Sequence, residues 1–337
     1  MRFVSYLKKE KDRIGLVYES KIYDLAKSAK VIGINLPSKM GKFLKDWESN
    51  LSLAIRVEKA IKKGKIKNYI IKNPKLLSPI LKPNSVRDGY AFRQHVETAR
   101  RNRGAEMIPE FDQFPVFYFT NHNAIYGEGN IQVETDHLNK LDFELECAII
   151  IGKQGRNIKA KEADNYIAGY MIMNDLSART LQMEEMRLNL GPAKGKDFAT
   201  TFGPYLVTPD ELEQYKIVTP FGNKYDLEMK AFHNGIQVSS GNLKDMNWTF
   251  AQIIERASYG VELYPGDVIG SGTVGTGCFL ELNGTKIFEA KQKGEDYTSI
   301  WLKPGDTIEL EITGLGRLKN KIVKAKRNYS ISKRKKV

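Results

Sequence analysis

Alternation of apolar and polar positions in the first part of the chain predicts a small α+β unit. The alternation over residues 3–7, 14–18 and 22–25 predicts three short strands. Leu53, Val57, Ala60 and Ile61 follow at helical spacing and predict an amphipathic helix. These elements predict a small N-terminal domain over residues 1–72.

A proline-rich stretch follows this unit and predicts a linker at residues 73–84. Its prolines can neither continue a helix nor donate to a strand ladder. From residue 85 to 330 strand-like runs dominate, with helices predicted at 161–166, 177–189 and 249–257. Asn234 and Gly235, between two alternating runs, predict a tight hairpin. The predicted fold class is mixed α/β and mostly β, with a basic tail at residues 331–337.

Composition favours a globular protein and leaves both an enzyme and a binder of small anions open. The 337 residues are 41% hydrophobic and 28% charged. The net charge of +13 raises nucleic-acid binding as a class. However, the densest basic runs, residues 59–67 and the tail, lack the interleaved aromatic residues of a single-strand groove. We therefore expect no nucleic-acid partner, while the positive field favours small anionic molecules.

The cysteines and the N-terminus indicate an intracellular setting. Cys147 and Cys278 lie in apolar runs, which predicts buried thiols rather than a disulfide framework. The apolar segment at residues 1–7 is too short for a signal peptide or a membrane span. We expect a cytoplasmic protein with no membrane partner.

The carboxylates of Glu144 and Glu146 are the first candidates for chemistry. They lie two residues apart in a β-type run, so their side chains are expected on one face of a strand. A second apolar run ends at Asp175. One interpretation is a solvated strand face. The other is a divalent cation, which removes the repulsion between the carboxylates and prefers oxygen ligands when it is Mg²⁺, Ca²⁺ or Mn²⁺.

Four blocks in this order resemble the fumarylacetoacetate hydrolase family. They are SVRDGYAFRQH at residues 85–95, LDFELE at 141–146, MNDLSARTLQ at 173–182 with KGKDF at 194–198, and GSGT at 270–273 with Leu280 and Glu281. The resemblance, which is closest to the fumarylacetoacetase subtype, implies the family's β-roll catalytic domain and a homodimer. It also implies a divalent cation, with Mg²⁺ as first choice and Ca²⁺ or Mn²⁺ as alternatives. The implied ligands are Asp88, Glu144, Glu146 and Asp175. Asp88 alone also fits an ordinary turn aspartate.

The resemblance further implies a set of catalytic residues. His95 is implied as the general base, a role that suits an imidazole near neutral pH, with Glu281 as its partner and Glu97 as a rival partner. The donors implied to stabilise an oxyanion are Arg179, Gln182 and Lys196. The residues implied to contact substrate are Tyr90, Tyr118 and Thr273, and Thr200 is implied near the metal. Taken singly, each donor also fits a surface charge or a helix-face ion pair.

The implied activity is metal-dependent hydrolysis of a carbon–carbon bond in a 1,3-diketo acid. The leading substrate is fumarylacetoacetate, which would yield fumarate and acetoacetate in tyrosine and phenylalanine catabolism. Alternatives are an isomerase or decarboxylase of the 2-hydroxyhepta-2,4-diene-1,7-dioate type, a hydrolase of sugar-derived diketo acids, and a non-catalytic anion- or metal-binding protein. The segment after Gln182 lacks the tyrosine that fumarylacetoacetases place there, which favours a different or broader substrate.

A glycine motif at residues 270–275 satisfies the G-x-G-x-x-G pattern of dinucleotide-binding proteins. That pattern requires a helix directly after the glycines. Residues 278–282 instead predict another strand, so we expect no dinucleotide cofactor. The glycines are expected to permit close backbone approach in a loop beside the active site.

Overall fold

In the computed structural model, which describes residues 1–334, the N-terminal part of the chain forms an α+β arrangement. Its elements are β1 (Arg2–Lys8), β2 (Lys11–Tyr18), β3 (Lys21–Asp24), α1 (Leu25–Val31), α2 (Met40–Leu44), α3 (Trp47–Lys62), β4 (Ile70–Ile71) and β5 (Lys75–Leu77). The predicted amphipathic helix is α3, which buries Ala54, Val57 and Ile61. Strand β5 falls inside the predicted linker and pairs with β1, and the proposed domain limits stay a prediction. Residues 335–337 of the predicted tail lie outside the described residues.

The rest of the chain is richer in strand than in helix, as predicted. Its strands are β6 (Val86–Gly89), β7 (Phe117–Thr120), β8 (Ile125–Tyr126), β9 (Gly129–Val133), β10 (Leu141–Asp142), β11 (Leu145–Ile151), β12 (Gly155–Arg156), β13 (Ile167–Asp175), β14 (Ser177–Ala178), β15 (Thr200–Val207), β16 (Lys216–Thr219), β17 (Gly222–Tyr225), β18 (Glu228–His233), β19 (Ile236–Asn242), β20 (Glu262–Leu263), β21 (Val268–Gly270), β22 (Thr307–Ile312) and β23 (Gly316–Lys324). Its helices are α4 (Arg93–Arg101), α5 (Ala160–Ala163), α6 (Arg179–Met186), α7 (Phe250–Ser258) and α8 (Phe279–Lys293).

Two large sheets organise residues 1–334. The larger has twelve strands, with neighbours in the order β4, β3, β2, β1, β15, β13, β11, β21, β6 and β7, while β5 joins at β1 and β8 at β15. The smaller has the order β19, β18, β22, β23 and β9. Because β1 pairs with β15, the N-terminal strands continue the sheet that contains β13 and β11. The mixed α/β fold class is therefore as predicted.

The central strands β11 and β13 are buried along their whole length. Alternate residues of β11 serve two apolar clusters: Ile149 and Ile151 belong to one, and Ala148 and Ile150 to the other. Strands covered on both faces carry nearly continuous apolar sequence. Glu146 and Asp175 interrupt that sequence, and buried carboxylates must have charged or hydrogen-bonding partners.

Local sequence signals explain the elements that were predicted. The hairpin between β18 and β19 turns at Asn234 and Gly235, which have φ values of 51° and 83°, as the tight turn requires. The three predicted helices correspond to α5 with the 3₁₀ turn Asp164–Tyr166, to α6 and to α7. Helix α7 begins with a capping box between Thr249 and Gln252. Across residues 1–334, none of the helices is long and apolar enough to cross a membrane.

The strand predicted at residues 278–282 was wrong, because helix α8 begins there at Phe279. Cys278 occupies the N-cap position but makes no side-chain cap bond to the described residues. The carboxylate of Asp142 instead accepts hydrogen bonds from the backbone N–H groups of Phe279 and Leu280, at 2.7 and 2.9 Å. The cap therefore comes from a residue distant in sequence, and the local pattern gives no sign of a helix start. Cys278 and Cys147 are nevertheless free and buried, as predicted.

Candidate active site and metal centre

Four carboxylates that the sequence analysis assigned to a metal lie together in the described part of the chain. Asp88 comes from β6, Glu146 from β11, Asp175 from the end of β13, and Glu144 from the residue before β11. All four are buried, and one oxygen of each lies within 4.8 Å of one oxygen of every other. Strand β21 separates β6 from β11, so neighbouring strands of one sheet bring the four side chains together.

Two cations neutralise one side of this cluster. The Lys196 ammonium donates to Asp175 Oδ2 at 2.6 Å and also to Glu144 Oε2. The Arg179 guanidinium donates to Glu144 Oε1 at 2.8 Å. Burial acts to raise the pKa of Glu144, but the charges of Lys196 and Arg179 lower it to about 2. Glu144 is therefore ionised.

The other side of the cluster lacks such a cation among residues 1–334. Asp88 Oδ1 and Glu146 Oε2 both accept from the Gly272 backbone N–H, at 3.1 and 3.2 Å. Burial and the charge of Asp175 raise the pKa of Asp88 to about 7. Burial and the charge of Asp88 raise the pKa of Glu146 well above its usual value. Two buried carboxylates in contact either share a proton, as these raised pKa values indicate, or need a compensating cation.

A divalent cation would supply a positive charge beside Asp88 and Glu146. Buried Asp175 Oδ1 has no hydrogen-bond partner within the described chain, although Oδ2 accepts from Lys196 and Tyr118. The ligand set contains only oxygen, which suits Mg²⁺, Ca²⁺ and Mn²⁺ rather than zinc and does not separate these three ions.

Glycines make room for the carboxylates. A Cβ atom on Gly270 would lie 2.5 Å from Asp88 Oδ1 and 3.1 Å from Glu146 Oε2. Gly272 has a φ of +77°, and a Cβ atom there would lie 2.5 Å from the Gly89 carbonyl oxygen. The glycine motif thus permits close backbone approach beside the site, as predicted.

His95 and Glu281 form a buried pair next to the carboxylates. His95 lies on α4, Glu281 lies in the first turn of α8, and the distance from Nδ1 to Oε2 is 2.6 Å. Because an ionised carboxylate can only accept, this contact puts a proton on Nδ1, and Nε2 is an acceptor in the neutral form of the ring. The rival partner Glu97 is exposed and pairs with Arg93 at 2.9 Å. Of the two candidate partners, the structure therefore places Glu281 on His95.

Helix α8 begins shortly after the glycine motif, where the sequence predicted a strand. A strand, a G-x-G-x-x-G sequence and a helix do follow one another at residues 268–293. In a dinucleotide-binding fold the helix N-terminus binds the pyrophosphate. Here Asp142 accepts from the first two N–H groups of α8. A negative charge already occupies that helix end, so the motif is not a pyrophosphate site.

A cavity of about 700 Å³ contains the remaining predicted residues. Three of the four clustered carboxylates line it, and Asp175 does not. The other predicted residues in its lining are His95, Arg179, Lys196, Tyr90, Tyr118, Gln182 and Thr273. Gln182 Oε1 accepts from Arg179 at 3.0 Å, which places both on one face of α6. Thr200 lies opposite Asp175 in the pairing of β13 with β15. The predicted residues thus share one site, while their individual roles stay predictions.

Tyr118 has a contact that the sequence analysis did not predict. Its hydroxyl donates to Asp175 Oδ2, a candidate metal ligand. The structure thus gives Tyr118 a place beside the ligands, whereas its contact with substrate stays a prediction.

Comparison with known proteins identifies the family of this chain. The model of the fumarylacetoacetate (FAA) hydrolase C-terminal family matches residues 84–323. The chain belongs to the fumarylacetoacetate hydrolase family. The match covers every residue placed in the cavity and every candidate metal ligand.

Proteins similar to this chain have different names. The fumarylacetoacetate hydrolase domain-containing protein 2 homolog of Dictyostelium discoideum is 27% identical, over 96% of this chain and 97% of its own. The Homo sapiens protein named oxaloacetate tautomerase FAHD2A, mitochondrial, is 29% identical over 86% of this chain and 81% of its own. Maleylpyruvate hydrolase from Sphingobium sp. SYK-6, solved with manganese(II) and pyruvate, has a TM-score of 0.67 at 20% identity, over 97% of this chain and 100% of its own. The two curated relatives are not named as fumarylacetoacetases, and the solved structure shows a shared fold, so the comparisons support the family rather than the fumarylacetoacetase subtype.

Replacing Tyr118 with phenylalanine is expected to weaken divalent-metal binding by about 10-fold, because loss of a hydrogen bond to a ligating carboxylate typically costs 10- to 100-fold. Titration calorimetry with Mn²⁺ would measure this change. The matched control is Tyr166→Phe, which removes a hydroxyl from a tyrosine outside the cavity lining. Unchanged Mn²⁺ affinity together with a raised KM would instead assign Tyr118 to substrate alone.

Stabilisation by a divalent cation is expected to increase as the pH rises from about 4 to about 7. The pKa of Asp88 is raised from 3.8 to about 7 in the metal-free fold. In that interval Asp88 binds more protons in the folded state than in the unfolded chain, so its contribution to the free energy of unfolding of the metal-free protein falls as pH rises. Metal binding needs Asp88 and Glu146 ionised, and the bound cation removes the destabilisation that their ionisation causes in the metal-free fold. Thermal unfolding with Mg²⁺ and with chelator would measure the difference, and a difference independent of pH would contradict the prediction.

Proposed function

We propose that this protein is a divalent-metal-dependent enzyme that hydrolyses a carbon–carbon bond in a 1,3-diketo acid. Fumarylacetoacetate is the first candidate substrate. The observation that carries the proposal is the His95–Glu281 pair, at 2.6 Å, whose imidazole lines the same cavity as the clustered carboxylates of Asp88, Glu144 and Glu146. A base beside a cation site is the combination that water attack on a polarised carbonyl requires.

His95 would begin the reaction by taking a proton from water through Nε2. Glu281 accepts from Nδ1, so it holds the ring in the tautomer that leaves Nε2 unprotonated and stabilises the imidazolium that forms. The resulting hydroxide adds to a carbonyl carbon of the diketo acid. The carbon–carbon bond then breaks to give a carboxylic acid and an enolate, and the imidazolium returns its proton to the enolate carbon.

The cations near the cluster would balance the charge that develops during this sequence. Lys196 and Arg179 are buried and fixed by Glu144, so they need little reorganisation when the carbonyl oxygen becomes an oxyanion. Asp88, Glu144, Glu146 and Asp175 would hold the divalent cation. When bound, that cation supplies Lewis-acid stabilisation of the substrate oxygens.

The size and charge of the cavity support an anionic, medium-sized substrate. About 700 Å³ lies within the range of small-molecule pockets. Its wall combines apolar side chains, among them Phe117, Leu280 and Trp301, with cationic ones such as Arg103. A diketo acid has both an apolar carbon chain and carboxylate groups, so this mixed lining suits it.

Keto–enol tautomerisation of a 2-oxo acid is the second candidate. The human relative named oxaloacetate tautomerase, which aligns with 86% of this chain, favours it. His95 would then move a proton between the carbon next to the carbonyl and its oxygen, with no attack by water.

The homodimer and the cytoplasmic location remain proposals. Light scattering of the purified protein would test whether it is a dimer.

The two functions can be separated with purified protein, a chelator and restored Mg²⁺, Ca²⁺ or Mn²⁺. Metal-dependent loss of the ultraviolet absorbance of fumarylacetoacetate, with fumarate and acetoacetate as products, would support hydrolysis. Metal-dependent decay of the enol absorbance of oxaloacetate, with no cleavage of oxaloacetate or fumarylacetoacetate, would contradict hydrolysis and support tautomerisation. Metal binding without turnover of either compound would contradict both substrate assignments.

A further inference from the structure

Asp142 is a fully buried carboxylate at the meeting point of three chain segments. Its Oδ1 accepts from the backbone N–H of Phe143 at 2.9 Å and of Phe279 at 2.7 Å. Its Oδ2 accepts from the backbone N–H of Leu280 at 2.9 Å and from Arg179 Nε at 2.8 Å. Its relative exposure is 0%. Asp142 is the acceptor in all four bonds, and none of them gives a carboxyl proton an acceptor.

Two of these bonds determine where helix α8 begins. Cys278 at the N-cap makes no cap bond to the described residues, and Asp142 accepts from the first two N–H groups of the helix. Glu281 is the third residue of α8 and contacts His95 Nδ1 at 2.6 Å. A shift of the first turn would therefore move the carboxylate that orients the proposed base.

The bond to Arg179 connects the same carboxylate to the other half of the site. Asp142 holds Nε, Glu144 holds the second terminal nitrogen at 2.8 Å, and Gln182 accepts from the first at 3.0 Å. A guanidinium is planar, so bonds on two edges fix its orientation. Asp142 thus contacts both the donor side and the base side of the cavity without lining the cavity itself.

We propose that Asp142 is a positioning residue that sets Arg179 and the Glu281–His95 pair relative to each other. This inference rests on the proposed function for the chemical roles of Arg179 and His95, but its geometric content does not depend on the substrate. The carboxylate acts through its neighbours, and it joins residues that are 37, 137 and 138 positions away in the sequence.

Asp142→Asn is the first test, because asparagine has nearly the same shape. One carboxylate oxygen becomes an NH₂ group, which then faces two donors on one side of the residue. We expect kcat on the substrate identified for the wild type to fall by about 10- to 100-fold, the range typical of residues that orient site ligands. We also expect a change in the proton NMR resonance of the His95 Nδ1–H, assigned by its absence in His95→Ala.

Asp267→Asn is the matched control. Asp267 is also buried, accepts from the Tyr264 backbone N–H at 2.8 Å and lies near an arginine, Arg87, at 4.0 Å. It lies outside the cavity lining. The control should retain wild-type kcat and the wild-type His95 resonance, even if thermal unfolding shifts. Equal losses in both variants would overturn the positioning role, because they would indicate a general effect of losing a buried carboxylate.

A double variant, Asp142→Asn with Cys278→Ser, separates helix stability from positioning. Serine at the N-cap supplies a local acceptor for the first turn. We expect thermal unfolding to recover toward wild type while kcat stays low, because Arg179 still lacks its partner. Recovery of both properties, or a wild-type kcat and resonance in Asp142→Asn itself, would overturn the proposal.

The NMR measurement distinguishes failure of this inference from failure of the proposed function. If the wild type turns over none of the tested oxo acids, yet Asp142→Asn shifts the His95 resonance and Asp267→Asn does not, the positioning role stands and the substrate assignment fails. If the wild type is active and Asp142→Asn is indistinguishable from it, the positioning role fails and the function stands.

Discussion

His95→Ala is expected to lower kcat by about 10²- to 10⁴-fold, the contribution usual for a positioned general base, while divalent metal still binds. The imidazole is held by Glu281 at 2.6 Å and lines the cavity. His95 does not belong to the cluster of four carboxylates that is proposed to bind the cation. Removing it takes away the proton acceptor and leaves the charge of the cation site unchanged. Turnover on the oxo acid identified for the wild type, and Mn²⁺ titration calorimetry, measure the two effects.

His122→Ala is the control for this prediction, because His122 is an exposed histidine outside the cavity lining. It should behave as wild type in both measurements. Full activity in His95→Ala would remove His95 from the mechanism. Loss of Mn²⁺ binding in that variant would instead indicate that the ring supports the cation site, and the fall in kcat could no longer be assigned to proton transfer.

Glu146→Gln is expected to weaken Mn²⁺ binding by more than about 100-fold and to abolish measurable turnover at low metal concentration. Glu146 is 0% exposed, contacts no cation among residues 1–334, and shares the Gly272 N–H with Asp88. An amide keeps the shape but lacks the charge that a hard cation requires. Loss of a ligand should exceed the 10- to 100-fold cost of losing a residue that merely orients one.

The same substitution should raise the thermal stability of the metal-free protein, because it removes repulsion between two buried carboxylates. Calorimetric titration with Mn²⁺ and thermal unfolding in chelator measure both results. Glu309→Gln, on strand β22 where Glu309 pairs with Lys319 at 3.0 Å, is the matched control and should leave metal binding unchanged. Wild-type Mn²⁺ affinity in Glu146→Gln would place the cation elsewhere.

The sequence predicted the parts of the fold whose signals are local. Strand alternation, the Asn234–Gly235 turn and the apolar stripe of α3 each lie within a few consecutive residues. Helix α4 was not predicted, since only His95 and Val96 are buried in its nine residues and no apolar stripe marks it. Helix α8 was misread because its cap is distant in sequence.

Prediction of the site was also limited by contacts between residues that are distant in sequence. Strand alternation indicated Glu144 and Glu146, the family resemblance implied the full set of four carboxylates, and the structure brings all four together. The division of the cluster into a neutralised side at Glu144 and an uncompensated side at Asp88 and Glu146 depends on where Lys196 and Arg179 point. Asp142 was missed, although it stands two residues before Glu144 and continues the alternation of acidic residues.

Gly270 has a consequence for the interpretation of sequence variation in this protein. It has no side chain with which to bind, donate or accept, yet any larger residue would place an atom against Asp88 and Glu146. A saturation mutagenesis survey should therefore find Gly270 as intolerant of substitution as a metal ligand. A survey of that kind would group residues by the space they leave as well as by the chemistry they perform, and an inactive variant at Gly270 would be a lesion of the metal site with every ligand intact.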